Sequence, residues 1–180
     1  TGRPRDVRLD FFRGVGMFII YIAHVPGNGW GLWIPARFGF SDATEIFVFC
    51  SGMASAIAFG KVFSERGFAM GTARTAFRVW QVYWAHIALF LVTAVMLIAI
   101  DRVVGAPVHV ERMLLVPFLE DPTTGIPRLM TLTYQPPLFD ILPMYLVILA
   151  MMPLVVALGQ ASRGAAIGAC LLLWAIANLG

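Results

Sequence analysis

The stretch Ala73–Ile100 leaves this chain little choice of environment. After Arg78 it carries no Asp, Glu, Lys or Arg as far as Ile100. As a helix rising 1.5 Å per residue, such a run crosses the ~30 Å hydrocarbon core of a bilayer. Irregular backbone cannot face hydrocarbon, where unpaired N–H and C=O groups find no water, so apolar runs of this kind cross as helices. Four further apolar stretches accompany it, roughly Leu9–Val25, Ala43–Phe59, Leu138–Leu158 and Ala165–Leu179. The chain is 59% hydrophobic and 13% charged, with a mean hydropathy of +0.82; a soluble domain sits nearer half apolar and a quarter charged. These features predict an all-α, polytopic transmembrane helix bundle of about five spans. We expect one integral-membrane domain over residues 1–180, incomplete at the C-terminus, because an odd span count stops at Ala-Asn-Leu-Gly without a polar tail.

Arginines orient the spans. Arg3, Arg5, Arg8 and Arg13 flank the first; Lys61, Arg66, Arg74 and Arg78 gather around the second connection; Arg163 stands in the fourth. The first and third connections are balanced or acidic, so the positive-inside rule places the N-terminus in the cytoplasm. The net charge of +3 is then a matter of topology. It gives no reason to expect nucleic acid as a partner, and the lipid bilayer is the one partner the composition demands. Cys50 and Cys170 are isolated thiols that read as small hydrophobes. The first stretch is too long and too polar for a cleaved signal peptide and lacks a cleavage site, so it reads as a retained helix. In the long third connection, Val110–Glu120 repeats apolar residues on a helical period with charges opposite. That pattern predicts a helix lying in the interface or a short helix packed over the bundle. Pro122, Pro127, Pro136 and Pro137 are expected to break regular structure after it.

Asp10, Arg13 and His24 lie in the first apolar stretch. Ionisable groups are costly in hydrocarbon and usually face a polar cavity or a partner. At about 100° per residue, Arg13 and His24 differ by only ~20° around the helix and stand ~16 Å apart along it. Asp10 and Arg13, at i and i+3, are close enough to pair. An imidazole at a membrane boundary can serve as a general base, or can simply bond to a neighbouring helix. His86 faces apolar neighbours and reads as structural, and His109 falls in a loop without a pattern. With no i, i+4 histidine pair, a metal site is not expected. Arg74 and Arg78, at i and i+4, can grip phosphates from one helical face or anchor a cytoplasmic helix end. No Walker or dinucleotide motif is present. Asp42 and Glu45 at the outer end of the second stretch either orient an imidazole or cap a helix. Asp140 lies near the outer end of the fourth stretch, where Pro143 is expected to kink the helix and free a carbonyl.

Three ordered segments, RLDFFRGVGMFIIYIAHVPGN (8–28), FGFSDATEIFVFCSG (38–52) and LTYQPPLFDILPMY (132–145), resemble hallmarks of the OpgC family. OpgC proteins are inner-membrane succinyltransferases acting on osmoregulated periplasmic glucans and are related to the acyltransferase-3 group. That group's spacing of arginine, ten residues and histidine is matched by Arg13 and His24, and its arginine-rich helix start approximately by Arg74 and Arg78. The resemblance covers essentially the whole chain, though family members are considerably longer. It implies His24 as the catalytic histidine, grouped with Asp10 and with Arg13, which binds or activates the acyl donor. Arg74 and Arg78 would meet the phosphates of acyl-CoA, succinyl-CoA being the implied co-substrate, from the cytoplasm. Asp42 and Asp140 fall in matched motifs and, with Glu45, are acceptor-side candidates for a carbohydrate (glucan) hydroxyl. One departure is Ala23, where an acidic residue often precedes the family's histidine; Asp42, Glu45 or Asp140 would then have to orient the ring. The composition alone favours a transporter with Asp10, Arg13 and His24 as a proton or anion relay, and a catalytically inert membrane scaffold is a third reading. The three motifs tip the expectation to an inner-membrane O-acyltransferase.

Overall fold

The computed structural model describes residues 7–39 and 42–179. Arg3 and Arg5, read above as topology signals, lie outside them. Among the described residues every regular element is helical. The order is α1 (Val7–His24), two 3-10 turns (Gly29–Leu32 and Pro35–Arg37), α2 (Ala43–Val104), α3 (Val108–Arg112), α4 (Val116–Glu120), α5 (Pro122–Met130), α6 (Ile141–Ala161) and α7 (Arg163–Leu179). Two helices, α2 and α6, are long and apolar enough to cross a membrane. The membrane character of the chain stands on them, and a five-span bundle stays a proposal.

The second and third apolar stretches do not end at a loop. Residues 60–72 continue the helix, supported by the Lys61–Glu65 pair at i, i+4 (3.7 Å). The one interruption is Gly67, at φ 83° and ψ 168°, a backbone region that only a residue without Cβ enters easily. The chain divides into two compact units at this glycine, the first ending with Gly67 and the second starting with Phe68.

In the first unit α1 meets the start of α2 at Gly16. A Cβ there would lie 3.6 Å from Phe47 Cβ and 3.7 Å from the Ala43 carbonyl, so the small residue sets the close approach. Helix α1 stops at Pro26 and Gly27, the latter at φ 75°.

In the second unit the 68–104 half of α2 turns Val82, His86, Ile87, Phe90, Ala94 and Asp101 inward at helical spacing, while Val92 and Val95 stay exposed. Phe90, Ile87 and Ala94 form one core with Val110, Leu115, Phe118, Leu129 and Phe139. The segment 110–120 is therefore no single interfacial helix. It breaks into α3 and α4 around Leu114, whose φ is 52°; Val110, Leu115 and Phe118 join the core, while Leu114 and Leu119 stay exposed. Of the prolines that follow, Pro136 and Pro137 stand in the irregular segment between α5 and α6, as expected, whereas Pro122 and Pro127 break nothing. Pro122 opens α5, where its missing N–H has no bond to lose, and Pro127 is carried inside that helix. Gly125 lets α5 close on α4, since a Cβ there would come within 2.8 Å of Phe118 Cδ2. Pro143 stands in the first turn of α6, again where no donor is needed, so it frees no carbonyl; the interior proline is Pro153. Helix α7 buries none of its residues, and Leu171, Leu172, Trp174 and Ile176 are all exposed. A helix apolar all round suits lipid better than water.

Candidate functional site

His24 closes α1, and its side chain is exposed. Its Nδ1 lies 2.7 Å from the carbonyl oxygen of Ile20, one turn back. A carbonyl only accepts, so Nδ1 carries the proton, and Nε2 of the neutral ring holds the lone pair. Sequence reasoning looked to a carboxylate to orient this ring and missed the backbone acceptor. Glu45 reaches back to the start of α2 as the third residue of a capping box does, and Asp42 accepts from the first helical amide. The Asp42 N–H donates to Glu45 Oε2 (3.2 Å), and Asp42 Oδ1 accepts from the Ala43 N–H (2.6 Å).

Arg13 and Asp10, both half-buried, share α1 with His24. The Arg13 guanidinium carbon sits 5.9 Å from the centroid of Phe47, a cation–π approach across the α1–α2 contact. Its buried Nε has no hydrogen-bond partner among the described residues. Asp10, Arg13, His24, Asp42 and Glu45 thus belong to the first unit, and Arg74, Arg78 and Asp140 to the second.

Arg74 and Arg78 are exposed, one turn apart, near the start of the second half of α2. Arg78 Nη1 donates to Gln81 Oε1 (3.3 Å), an exposed contact that a phosphate can replace at little cost. Asp140 is exposed at the start of α6 and makes no side-chain cap; its carbonyl accepts from the Met144 N–H (3.1 Å).

One pair escaped the sequence reading. Asp101, 7% exposed, accepts from the backbone N–H groups of His109 (3.0 Å) and Val110 (2.8 Å), and His109 Nδ1 lies 2.6 Å from its Oδ1. The chain turns back at Gly105, at φ 77°, which brings α3 onto the end of α2. The carboxylate thereby satisfies the opening amides of α3. The only signal in the sequence was an acid closing an apolar span eight residues before a histidine. Asp101→Asn removes the charge and one acceptor oxygen. Amide exchange at His109 and Val110 is expected to speed about tenfold or more, with α6 unaffected, as read by hydrogen–deuterium exchange.

Nearby, Tyr134 Oη donates to the Leu114 carbonyl (2.7 Å), and partial burial pushes the phenol above its ordinary pKa, keeping it a donor. His86, 1% exposed, lies edge-on to Phe139 with ring centroids 6.2 Å apart. It is buried, as its apolar neighbours in sequence suggested, and neither ring nitrogen has a hydrogen-bond partner among the described residues.

The family model described as OpgC protein matches residues 5–180 of the chain. No curated protein and no solved structure matches it.

Proposed function

The chain belongs to the OpgC family, and from that premise we propose that it is a multi-pass inner-membrane O-acyltransferase with a cytoplasmic N-terminus. It moves an acyl group, succinyl by family resemblance, from acyl-CoA to a hydroxyl of a periplasmic glucan. Membership implies a glucan-modifying, acyltransferase-like role, and helices α2 and α6 suit a membrane. The observation that carries the chemistry is the His24–Ile20 bond, which leaves Nε2 as the basic atom of an exposed imidazole.

In the proposed reaction Nε2 takes the proton of a sugar hydroxyl as its oxygen attacks the thioester carbonyl. The tetrahedral intermediate collapses with cleavage of the C–S bond, and the imidazolium returns the proton to the departing sulfur. Transient acylation of Nε2 is a second route through the same atom. Arg13 is assigned to the acyl donor, with Asp10 balancing its charge. Arg74 and Arg78 are assigned to the phosphates of CoA, which guanidinium forks bind in bidentate fashion. The cap geometry of Asp42 and Glu45 favours a structural role for both and leaves Asp140 as the acceptor-side carboxylate.

The test uses the full-length protein in membranes with succinyl-CoA or acetyl-CoA and a periplasmic glucan fraction, following free CoA and glucan mass together. CoA release matched one-to-one by acylated glucan is the expected result. CoA release without a glucan mass gain overturns the acceptor. No release with either donor overturns the enzyme and favours the relay transporter.

A further inference from the structure

We propose that the cleft walled by Trp30 and Trp33 is the acceptor subsite, taking one pyranose ring of the glucan against an indole face. The proposal rests on the acyltransferase reading above. Its ground is the loop that follows His24. There the Val25 N–H bonds to the Ile22 carbonyl (3.3 Å), and Asn28 Nδ2 donates to the carbonyls of Ile22 (2.9 Å) and Val25. Asn28 Oδ1 accepts from the Gly31 N–H (2.8 Å). One side chain thus ties the turn Gly29–Leu32 to the end of α1 by hydrogen bonds at both of its polar atoms. The turn is held without burying its aromatics. Trp30 and Trp33 stay 74% and 76% exposed, and with Gly29 they line a cleft of about 460 Å³.

That volume lies within the ~300–1,000 Å³ range of small-molecule sites. The chemistry of the lining selects the ligand class. An indole offers a broad apolar face with a negative quadrupole, which suits the C–H faces of a pyranose while its hydroxyls remain in water. Among the described residues no Lys, Arg or His lines the cleft, so phosphate or carboxylate groups gain little from the lining shown. Its open form suits a polymeric acceptor, which enters a shelf from the side. Tryptophans also anchor membrane proteins at the headgroup level. An anchor, however, needs neither an open hollow lined by both indoles nor a turn pinned to the helix that bears His24.

Gly29 provides the decisive variant. A Cβ there meets nothing within 4 Å, and its φ lies outside the left-handed region, so Gly29→Leu adds bulk to the cleft lining without straining the backbone or removing an indole. In the full-length protein in nanodiscs, Gly29→Leu, Trp30→Ala and Trp33→Ala are each expected to raise the glucan KM roughly 3- to 10-fold. The acyl-CoA KM and the kcat at saturating glucan should hold. In a His24→Ala background, calorimetric glucan binding should weaken by the same factor when Gly29→Leu is added. Unchanged glucan KM and Kd in Gly29→Leu would overturn the proposal. Loss of membrane insertion in the tryptophan variants with unchanged KM would assign the indoles to the interface instead. Should the unsubstituted protein transfer no acyl group, the acyltransferase reading fails separately. The binding isotherm then decides the cleft alone, for it if Gly29→Leu weakens binding and against it if not.

Discussion

His24→Ala is expected to lower the kcat for glucan acylation by about 10²–10⁴-fold, the range a positioned general base supplies, with the acyl-CoA KM little changed. The proton ledger makes the loss large. Without Nε2 no group in the proposed mechanism accepts the hydroxyl proton as the oxygen attacks, and none returns it to the leaving sulfur. The fold should survive. His24 is exposed at the last turn of α1, alanine is the best helix former, and the forfeited interaction is one bond to the Ile20 carbonyl. His24→Asn separates chemistry from architecture, because its amide N–H can still donate to a backbone carbonyl but cannot act as a base. Asn and Ala equally inactive, with unchanged thermal unfolding in detergent, would place the loss in proton transfer. Activity restored by Asn would make His24 a tie for the end of α1 and remove it from the mechanism.

The apolar runs announced helices because a bilayer admits little else, and α1, α6 and α7 fall close to the stretches read from hydropathy. Where the reading failed, the failures share a cause. Lys61, Glu65 and Arg66 resemble a polar loop by composition, yet each is a good helix former, so the helix runs on to Gly67 and the break falls at one residue rather than across a connection. Pro122 and Pro143 resemble helix breakers, but breaking depends on position, and both stand in first turns where no amide bond is lost. At the candidate site, Arg13 and His24 were legible because their spacing is a property of one helix. The Ile20 carbonyl was not, since a backbone acceptor has no letter of its own. Asp101 and His109 were invisible as a pair for a different reason: only the reversal at Gly105 makes them neighbours. Local periodicity survives translation into sequence; contacts made by a turn do not.

The largest stability loss is expected from Phe90→Ala, about 3–5 kcal/mol. Phe90 is 1% exposed and joins several parts of the second unit. Its ring centroid lies 5.1 Å from Phe118 on α4, 5.6 Å from Phe139 ahead of α6 and 6.0 Å from Tyr134, all edge-to-face. Truncation removes the ring and leaves a cavity whose walls cannot easily collapse. On one side is a continuous helix, and on the other the α4–α5 hairpin is already closed so tightly that Gly125 admits no Cβ. Val92→Ala, on the same helix but 67% exposed, is the control and should stay within about 0.5 kcal/mol. Both are read by denaturant unfolding of the full-length protein in one detergent, where the surface valine exchanges contact with detergent and the phenylalanine exchanges contact with protein. A Phe90→Ala loss no larger than the control would mean that α3, α4 and α5 rest on the end of α2 without a packed core. The Asp101 carboxylate would then be the main tie holding α3 down, so Asp101→Asn would release it outright rather than loosen it.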